Sequence, residues 1–381
     1  MARFPYNDIL SLTSETPRYD LAESIGPDLV LRELLGAAES DDSGGLGGLA
    51  LGYGTAQGDP RLRALIAEGH GVDADDVVIT VGGMHALFLL AFILCGRGDE
   101  AVTTSPQFPL GRNVLQSVGA TLRTLPLAFD ARYRLDPEAL GRLLSPRTRF
   151  VSLASPQNPS GVALPRETLR EVVALMEARC PEAYLLLDET YREAVYGDDR
   201  PAPSGVGLGP RVVSCASLSK CHGAPGLRLG WAITRDPGLR DQLVLGKFNT
   251  VIACSAVDEA LALQVLRQGE RIIGARRRRL AEGLARTADW VSAHDGLVEW
   301  IRPDAGALCC LRLKPEAFDD AAVGRFHDVL AGTGARVAKG AWFGDDARVF
   351  RLGFGLLSMP DLAAALDGLS TAVRQTARAA A

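Results

Sequence analysis

Short apolar runs alternate with longer helical patterns through most of the chain. Runs of this kind, rich in aliphatic and β-branched residues and bounded by turn residues, are typical of strands. They occur at Val77–Thr80, Ala101–Thr104, Phe150–Ala154, Tyr184–Leu187, Val212–Cys215 and Leu229–Thr234. Strands that alternate with helices predict an α/β fold with a mainly parallel sheet covered by helices on both faces. Such sheets bind ligands beyond the carboxyl ends of their strands, so the polar residues after each run are the candidates for chemistry.

Beyond Val257 the pattern changes to longer helices and a few short strands. A helix is predicted over Val257–Ala288, and strands are predicted at Ala307–Leu313 and Phe350–Phe354. This pattern indicates a smaller α+β domain. The polar, glycine-rich stretch 41–48 is predicted to link an N-terminal arm to the large domain. The predicted division is the arm with part of the small domain (1–45), the large domain (46–256), and a connecting helix with the small C-terminal domain (257–381).

Composition narrows the classes of partner. Of the 381 residues, 47% are hydrophobic and 23% are charged, which is typical of a globular enzyme with a sizeable core. The formal net charge of -5 argues against nucleic acid as a partner, because affinity for a phosphate backbone depends on clustered Lys and Arg. The basic run Arg276–Arg279 lies between apolar residues at helical spacing, so it is interpreted as the solvated face of a helix.

No membrane partner and no metal are expected. The longest apolar stretch, Met84–Cys95, is shorter than the roughly 20 residues that cross a bilayer, and it predicts a buried helix. Residues 1–10 lack the basic and apolar regions of a secretory signal, so a cytoplasmic location is expected. The 7 cysteines show no C-x-x-C spacing and the histidines show no metal-ligand spacing, which indicates reduced, mostly buried thiols.

Lys220 follows the predicted strand Val212–Cys215 and therefore starts from a loop at a strand's carboxyl end. A single lysine in such a loop is usually solvated. Its sequence neighbours favour chemistry instead, because Ser217 and Ser219 supply hydroxyls and Arg228 supplies a guanidinium. These groups suit a dianionic phosphate held beside a reactive amine.

Two further polar residues follow buried strands. Asp188 emerges directly from an apolar run, and a buried carboxylate needs a cationic or hydrogen-bonded partner. The protonated ring nitrogen of a pyridine cofactor would supply that charge, and an ion pair with an arginine is the alternative. Asn158 lies in the turn SPQNPSG, where its amide either points inward or caps the loop. Tyr191 is placed to reach the same ring substituent as Asn158, a phenolic oxygen.

Taken together, these segments resemble the class I/II aminotransferases of the fold-type I pyridoxal-phosphate superfamily. The chain has S-x-S-K followed by P-G-x-R-x-G, N-P-[ST]-G, and D-E-x-Y, in that family's order. The resemblance implies a fold-type I transferase in which pyridoxal 5'-phosphate forms a Schiff base with Lys220. It further implies exchange of an amino group between an amino acid and a 2-oxo acid. A non-transaminating reaction on the same fold stays open: elimination, replacement or cyclisation of an amino acid, possibly one with a basic side chain.

The resemblance extends to residues outside these motifs. In relatives, the positions matching this chain bind the phosphate (Gly82, Gly83, Met84), stack on the cofactor ring (Phe108), reach the phosphate of the partner subunit (Tyr53) and hold the substrate carboxylate (Arg351). The match at Tyr53 implies a homodimer with shared active sites. Asn249 and Thr250 lie where relatives send a second contact across the dimer.

The N-terminal arm departs from the family. Relatives of the histidinol-phosphate type carry a segment in this arm that resembles L-x-x-N-E-N-P-x-G-P, whereas this chain has LAESIGPDL. Glu23 is hypothesised to bind a cationic substrate side chain, and a carboxylate at a helix start or on the surface is the alternative. Cys221 and His222, beside the lysine, are without an assigned role. A DNA-binding regulator with a pyridoxal-phosphate domain is disfavoured, because the residues before Leu21 lack basic helical patterning.

Overall fold

The computed structural model describes residues 8, 17–30, 34 and 49–377, and the stretch 41–48 lies outside them. The strands are β1 (Tyr19–Asp20), β2 (Val77–Thr80), β3 (Glu100–Ser105), β4 (Thr121–Pro126), β5 (Thr148–Ala154), β6 (Tyr184–Asp188), β7 (Val212–Ser217), β8 (Gly230–Thr234), β9 (Val298–Ile301), β10 (Leu308–Leu313), β11 (Ala335–Arg336), β12 (Ala338–Lys339) and β13 (Val349–Gly353). The helices are α1 (Pro60–His70), α2 (Gly82–Leu94), α3 (Pro109–Ser117), α4 (Pro137–Gly141), α5 (Arg166–Arg179), α6 (Pro237–Val251), α7 (Ala256–Arg267), α8 (Gly269–Ser292), α9 (Asp320–Gly332) and α10 (Met359–Thr376).

A seven-stranded sheet in the order β2-β8-β7-β6-β5-β3-β4 forms the large part of the fold. All neighbouring strands are parallel except β8, which runs antiparallel to both β2 and β7. Along β6, Leu185 and Leu187 pack with Leu169 of α5, whereas Leu186 packs with Leu89 of α2 on the other side. Helices therefore cover both faces, as the alternating pattern of strands and helices predicted.

A smaller antiparallel sheet, in the order β12-β13-β10-β9, carries the second core. Phe350 of β13 packs there with Phe326 of α9 and Leu369 of α10. The arm joins this lobe, because β1 pairs in parallel with β11 and Asp20 forms an ion pair with Arg336 at 2.6 Å. The predicted boundaries at 45 and 256 stay predictions; the second falls at the first residue of α7.

The connecting helix differs from its prediction. Instead of one helix over Val257–Ala288, α7 and α8 are separate helices that break at Gln268. The following residue, Gly269, has a low helix propensity, which favours a break at this point. Ser255 caps α7 by accepting a hydrogen bond from the Asp258 backbone N–H at 3.3 Å.

The interpretation of the basic run as a solvated face is wrong for most of its members. Arg278 is exposed, but Arg277 donates to the Glu193 carbonyl at 3.0 Å. Arg279 donates to the carbonyls of Gly355, Leu356 and Leu357, the closest at 2.6 Å. The chain that leaves β13 has carbonyls without strand partners, and the Arg279 side chain of α8 satisfies them.

Among the described residues, no helix is long and apolar enough to span a membrane. In the same part of the chain, no group of His, Cys, Asp and Glu side chains is arranged to hold a metal ion. All 7 cysteines are buried free thiols.

Candidate active site

The polar residues that follow β5, β6 and β7 meet at one edge of the large sheet. Asp188 ends β6, where it is paired with Ala154 of β5 on one side and Cys215 of β7 on the other. The Asp188 carbonyl accepts from the Ser155 backbone N–H at 2.9 Å, which continues the ladder into the loop that carries Asn158. Parallel pairing in this register brings the loops after the three strands together.

Lys220 is partly buried at this edge. Its Nζ donates to Ser24 Oγ at 3.2 Å. Burial lowers the pKa of Lys220 to about 8, an effect that the Arg351 charge strengthens and that Glu23 and Asp188 oppose. An amine with this pKa is partly neutral near neutral pH and can act as a nucleophile or a base.

Asp188 needs a cationic partner in this environment. Burial raises its pKa, and the Thr190 backbone N–H, which donates to Oδ1 at 3.0 Å, offsets the shift only in part. The charge of Lys220 also lowers the pKa of Asp188. A protonated ring nitrogen placed against the carboxylate would restore its ionised form.

Tyr191 and Asn158 have different hydrogen-bond partners. The Tyr191 hydroxyl donates to Ser24 Oγ at 3.0 Å, and burial raises the pKa of this phenol, which therefore stays protonated. Asn158 Oδ1 accepts from Arg351 Nη1 at 2.7 Å. The amide nitrogen of Asn158 is therefore the group that it can offer to a cofactor.

Arg351 is the most deeply buried cation of the site, at 1% exposure. It lies in β13 of the smaller sheet, its guanidinium covers the Phe343 ring at 4.7 Å, and Nη2 donates to the Ala22 carbonyl. Its Nε has no hydrogen-bond partner among the described residues. A buried donor without a partner is costly, so a carboxylate ligand at this guanidinium would be stabilising.

A cradle for an anion lies at the start of α2. Gly82 has φ +73, and a Cβ there would lie 2.6 Å from Arg228 Nη2, so only glycine lets the guanidinium approach. Ser217 is buried beside Gly83: a Cβ added at Gly83 would lie 3.9 Å from Ser217 Cβ. Met84 continues the helix. The Ser219 backbone N–H donates to Ser217 Oγ at 3.4 Å. Helix N-terminal amides, a hydroxyl and a guanidinium together suit a phosphate.

Other predicted site residues are not drawn into this cluster. Phe108 caps α3 and packs with Ala22 and Phe343. Tyr53 is 87% exposed. Asn249 and Thr250 are exposed on α6, and both bond to carbonyls of their own helix.

The neighbours of the lysine have local partners. The Cys221 thiol donates to the Thr190 carbonyl at 3.1 Å, and burial raises its pKa to about 12. His222 Nε2 lies 3.9 Å from Glu193 Oε2, and burial lowers the pKa of the imidazole. These contacts favour a structural role for both residues.

Sequence reasoning missed Ser24, which contacts both Lys220 and Tyr191. Its signal was the departure of the arm from the family pattern, and nothing in the residue type alone marks it as part of a site. Sequence reasoning also missed the buried network around Glu189. The Glu189 carboxylate accepts from Ser204 Oγ and from the Gly205 N–H, both at 2.7 Å, and supports the turn after β6.

Residues 9–368 match the family model for aminotransferase class I and II, and the chain belongs to that family. It is a pyridoxal-phosphate-dependent transferase of fold type I that acts on an amino acid. Arginine–pyruvate transaminase AruH of Pseudomonas aeruginosa is 30% identical over 74% of this chain and 74% of its own length. Capreomycidine synthase of Streptomyces vinaceus is 29% identical over 91% of this chain and 85% of its own.

Solved structures give the same fold. A pyridoxal-phosphate-dependent aminotransferase from Streptococcus suis matches with a TM-score of 0.88 over 100% of both chains at 24% identity. The pyridoxal-phosphate-dependent cyclase OrfR matches with a TM-score of 0.84 over 97% of both chains at 27% identity.

Proposed function

We propose that this enzyme moves the amino group of an amino acid with a cationic side chain to a 2-oxo acid. The observation that carries the substrate class is a carboxylate, Glu23, whose charge acts on both Lys220 and Arg351. Glu23 Oε2 accepts from the Ser24 backbone N–H at 3.3 Å, which leaves its other oxygen available to a ligand. A guanidinium or ammonium held there would complete an ion pair in a secluded site. The name of the arginine–pyruvate relative supports this substrate class.

The residues present fit pyridoxal phosphate. Arg228, Ser217 and the N–H groups at Gly82 and Gly83 would hold the phosphate, and the space that a Cβ at Gly82 would fill supports this assignment. Asp188 would face the ring nitrogen, because burial leaves its carboxylate in need of a cation. When bound, the cofactor supplies an electron sink for the charge that develops at the substrate Cα.

Tyr191 and Asn158 would donate to the phenolic oxygen of the ring. Tyr191 stays protonated and Asn158 has its amide nitrogen free of the contact with Arg351. Phe108 is assigned to the face of the ring on the strength of the family match. Its position at the start of α3, packed with Phe343, is close in the fold to the clamp at Arg351.

Arg351 and Lys220 would divide the work on the substrate. The planar guanidinium of Arg351 binds the α-carboxylate and is held in orientation by Asn158 Oδ1, which fixes Cα relative to the lysine. Lys220 Nζ then accepts the proton from Cα. Its pKa of about 8 is suited to a base that must also return the proton near neutral pH.

The enzyme would act as a homodimer with shared active sites. Large apolar side chains are exposed on two helices that pack together, with Phe92 of α2 66% exposed and Leu245 and Phe248 of α6 53% and 54% exposed. Tyr53, whose side chain is exposed, would reach the phosphate of the partner. Exposed apolar surface of this kind is typical of an interface. The cytoplasmic location expected from the sequence stays a prediction.

Cyclisation is the second candidate. Two similar proteins whose names describe synthesis or cyclisation, capreomycidine synthase and the cyclase OrfR, match 91% and 97% of this chain. The same proton removal by Lys220 can precede loss of a substituent and attack by a side-chain nitrogen, so the described groups serve either reaction.

The purified enzyme with pyridoxal phosphate and pyruvate separates these candidates when arginine, lysine, ornithine, norleucine and a β-hydroxylated arginine, whose hydroxyl is a substituent that can leave, are offered in turn. Mass spectrometry that finds a 2-oxo acid and alanine in equal amounts supports transamination. A product that keeps its α-nitrogen, without alanine, supports cyclisation and refutes transamination.

The variant Glu23→Gln tests the substrate class. We expect kcat/KM for arginine to fall by about 10- to 100-fold, because a charge-assisted contact is lost, while norleucine is affected less than about twofold. An unchanged ratio of arginine to norleucine would contradict the role of Glu23.

A further inference from the structure

One hydroxyl joins the two polar groups closest to the proposed chemistry. Ser24 Oγ accepts from the Tyr191 hydroxyl at 3.0 Å and from Lys220 Nζ at 3.2 Å. Ser24 is 3% exposed, so its hydroxyl is largely shielded from bulk solvent. Ser24 is neither one of the residues proposed to hold the cofactor nor part of the proposed carboxylate clamp.

The arm that carries Ser24 is fixed on both sides. Before it, the Leu21 carbonyl accepts from the Gly353 N–H at 2.6 Å, and a Cβ at Gly353 would lie 1.7 Å from the Glu23 carbonyl oxygen. After it, the Leu29 N–H donates to the Gly223 carbonyl at 2.8 Å, which ties the arm to the loop of the lysine. Backbone hydrogen bonds on both sides therefore hold the stretch that carries the serine, whose hydroxyl can still rotate.

The groups around Lys220 differ in what they can donate. The carboxylates of Glu23, Asp28 and Asp188 only accept when ionised, and the Arg351 guanidinium only donates. A serine hydroxyl both accepts and donates. It can therefore accept from the ammonium form of the lysine and, after rotation, donate to the neutral amine.

We propose that Ser24 is a positioning residue for Lys220, holding Nζ in place in both protonation states as the lysine exchanges a proton with the substrate. This inference rests on the proposed function, since it assigns Lys220 the role of base. If Ser24 positions Lys220, the position of the N-terminal arm contributes to the catalytic geometry. The proton moves between Cα and Nζ, and the serine gains and loses none.

The first measurement uses the cofactor-free protein and needs no turnover. Trinitrobenzenesulfonate labels neutral amines, and mass spectrometry quantifies labelling at Lys220 between pH 6 and 10. In Ser24→Ala the ammonium form loses a charge-assisted hydrogen bond, whereas the neutral amine loses only a weaker neutral one, so we expect the labelling midpoint to fall by about one pH unit. Ser24→Thr keeps the hydroxyl and should restore the midpoint to that of the unchanged protein.

The second measurement is the kinetic split in the loaded enzyme. We expect kcat of Ser24→Ala to fall by about 10- to 100-fold with KM within about twofold, because the serine does not contact the substrate carboxylate. Ser24→Thr should recover most of kcat. A variant that merely loosens the arm would raise KM through Arg351 and leave the labelling midpoint unmoved, and that result would overturn the inference.

The two proposals fail separately. A moved midpoint in Ser24→Ala without any 2-oxo acid product supports the contact to the lysine and refutes transamination. A 2-oxo acid product with an unmoved midpoint refutes the role of Ser24 alone. If circular dichroism shows Ser24→Ala to be unfolded, Ser24→Cys, whose thiol is a weak donor and acceptor, must shift the midpoint in the same direction.

Discussion

The substitution Gly82→Ala tests the anion cradle at its tightest point. Gly82 has φ +73, and an added Cβ would lie 2.6 Å from Arg228 Nη2 and 3.4 Å from the central guanidinium carbon. The guanidinium is the far end of a flexible side chain and will move away. The alanine therefore displaces the cation from the phosphate position while the helix N-terminus stays where it is.

Two costs follow from the geometry, and they fall on different quantities. A left-handed backbone conformation costs an alanine about 1–2 kcal/mol, which lowers the free energy of unfolding. Displacing Arg228 removes a charge-assisted hydrogen bond to the phosphate, worth about 1.5–3 kcal/mol. The second cost corresponds to a rise of about 10- to 100-fold in the Kd for pyridoxal phosphate.

Equilibrium dialysis of the cofactor against Gly82→Ala measures the Kd for pyridoxal phosphate. Urea unfolding of the cofactor-free protein measures the loss in free energy of unfolding. The matched control is Gly71→Ala, where φ is +66 and the added Cβ meets nothing within 4 Å. It should lose similar stability with unchanged affinity. Unchanged affinity in Gly82→Ala, or an equal loss of affinity in Gly71→Ala, would refute the assignment of the cradle.

Further perturbations test the other parts of the site and the fold. Asp188→Asn should lower kcat by about 10²- to 10³-fold with the cofactor still bound, as measured by steady-state kinetics and absorbance, because an amide cannot match the ring-nitrogen charge. Arg351→Lys should raise KM by about tenfold or more, since an ammonium lacks the planar fork; an unchanged KM would contradict the carboxylate clamp. Phe92→Asp should convert dimer to monomer in sedimentation velocity, and an unchanged dimer would rule out the exposed face of α2 as the interface. Burial lowers the pKa of His70 from 6.5 to about 3, so the unfolded chain binds the extra proton between these values and stability falls as pH drops below 6.5. The loss should be about 2 kcal/mol at pH 5 in urea unfolding, and it should be absent in His70→Gln.

The parts of the fold set by local pattern were predictable. The strand of residues 184–187 is apolar throughout because both faces of β6 are covered, and the carboxylate at Asp188 marks the point where the chain leaves the core. The confluence of the loops after β5, β6 and β7 then follows from parallel pairing. The family and the cofactor were predictable because the motifs lie on these loops, and both are confirmed by the family match.

Contacts between distant segments were not predictable in the same way. The basic run on α8 looked solvated because a helical pattern shows which face is polar but not which carbonyls of another segment need donors. Arg279 satisfies carbonyls beyond β13 that only the folded chain brings near it. The break at Gln268 has a weak local signal, a single glycine, in an otherwise continuous helical pattern.

The arm shows how a residue without a chemical signature enters a site. Arg351 lies on the smaller sheet and donates to the Ala22 carbonyl, while Lys220 follows the large sheet and donates to Ser24. The arm therefore bonds at neighbouring residues to the proposed carboxylate clamp and to the proposed base. Ala22 and Ser24 are only two residues apart, so the proposed clamp and the proposed base bond to the same short stretch of chain, which backbone hydrogen bonds hold at Leu21 and Leu29.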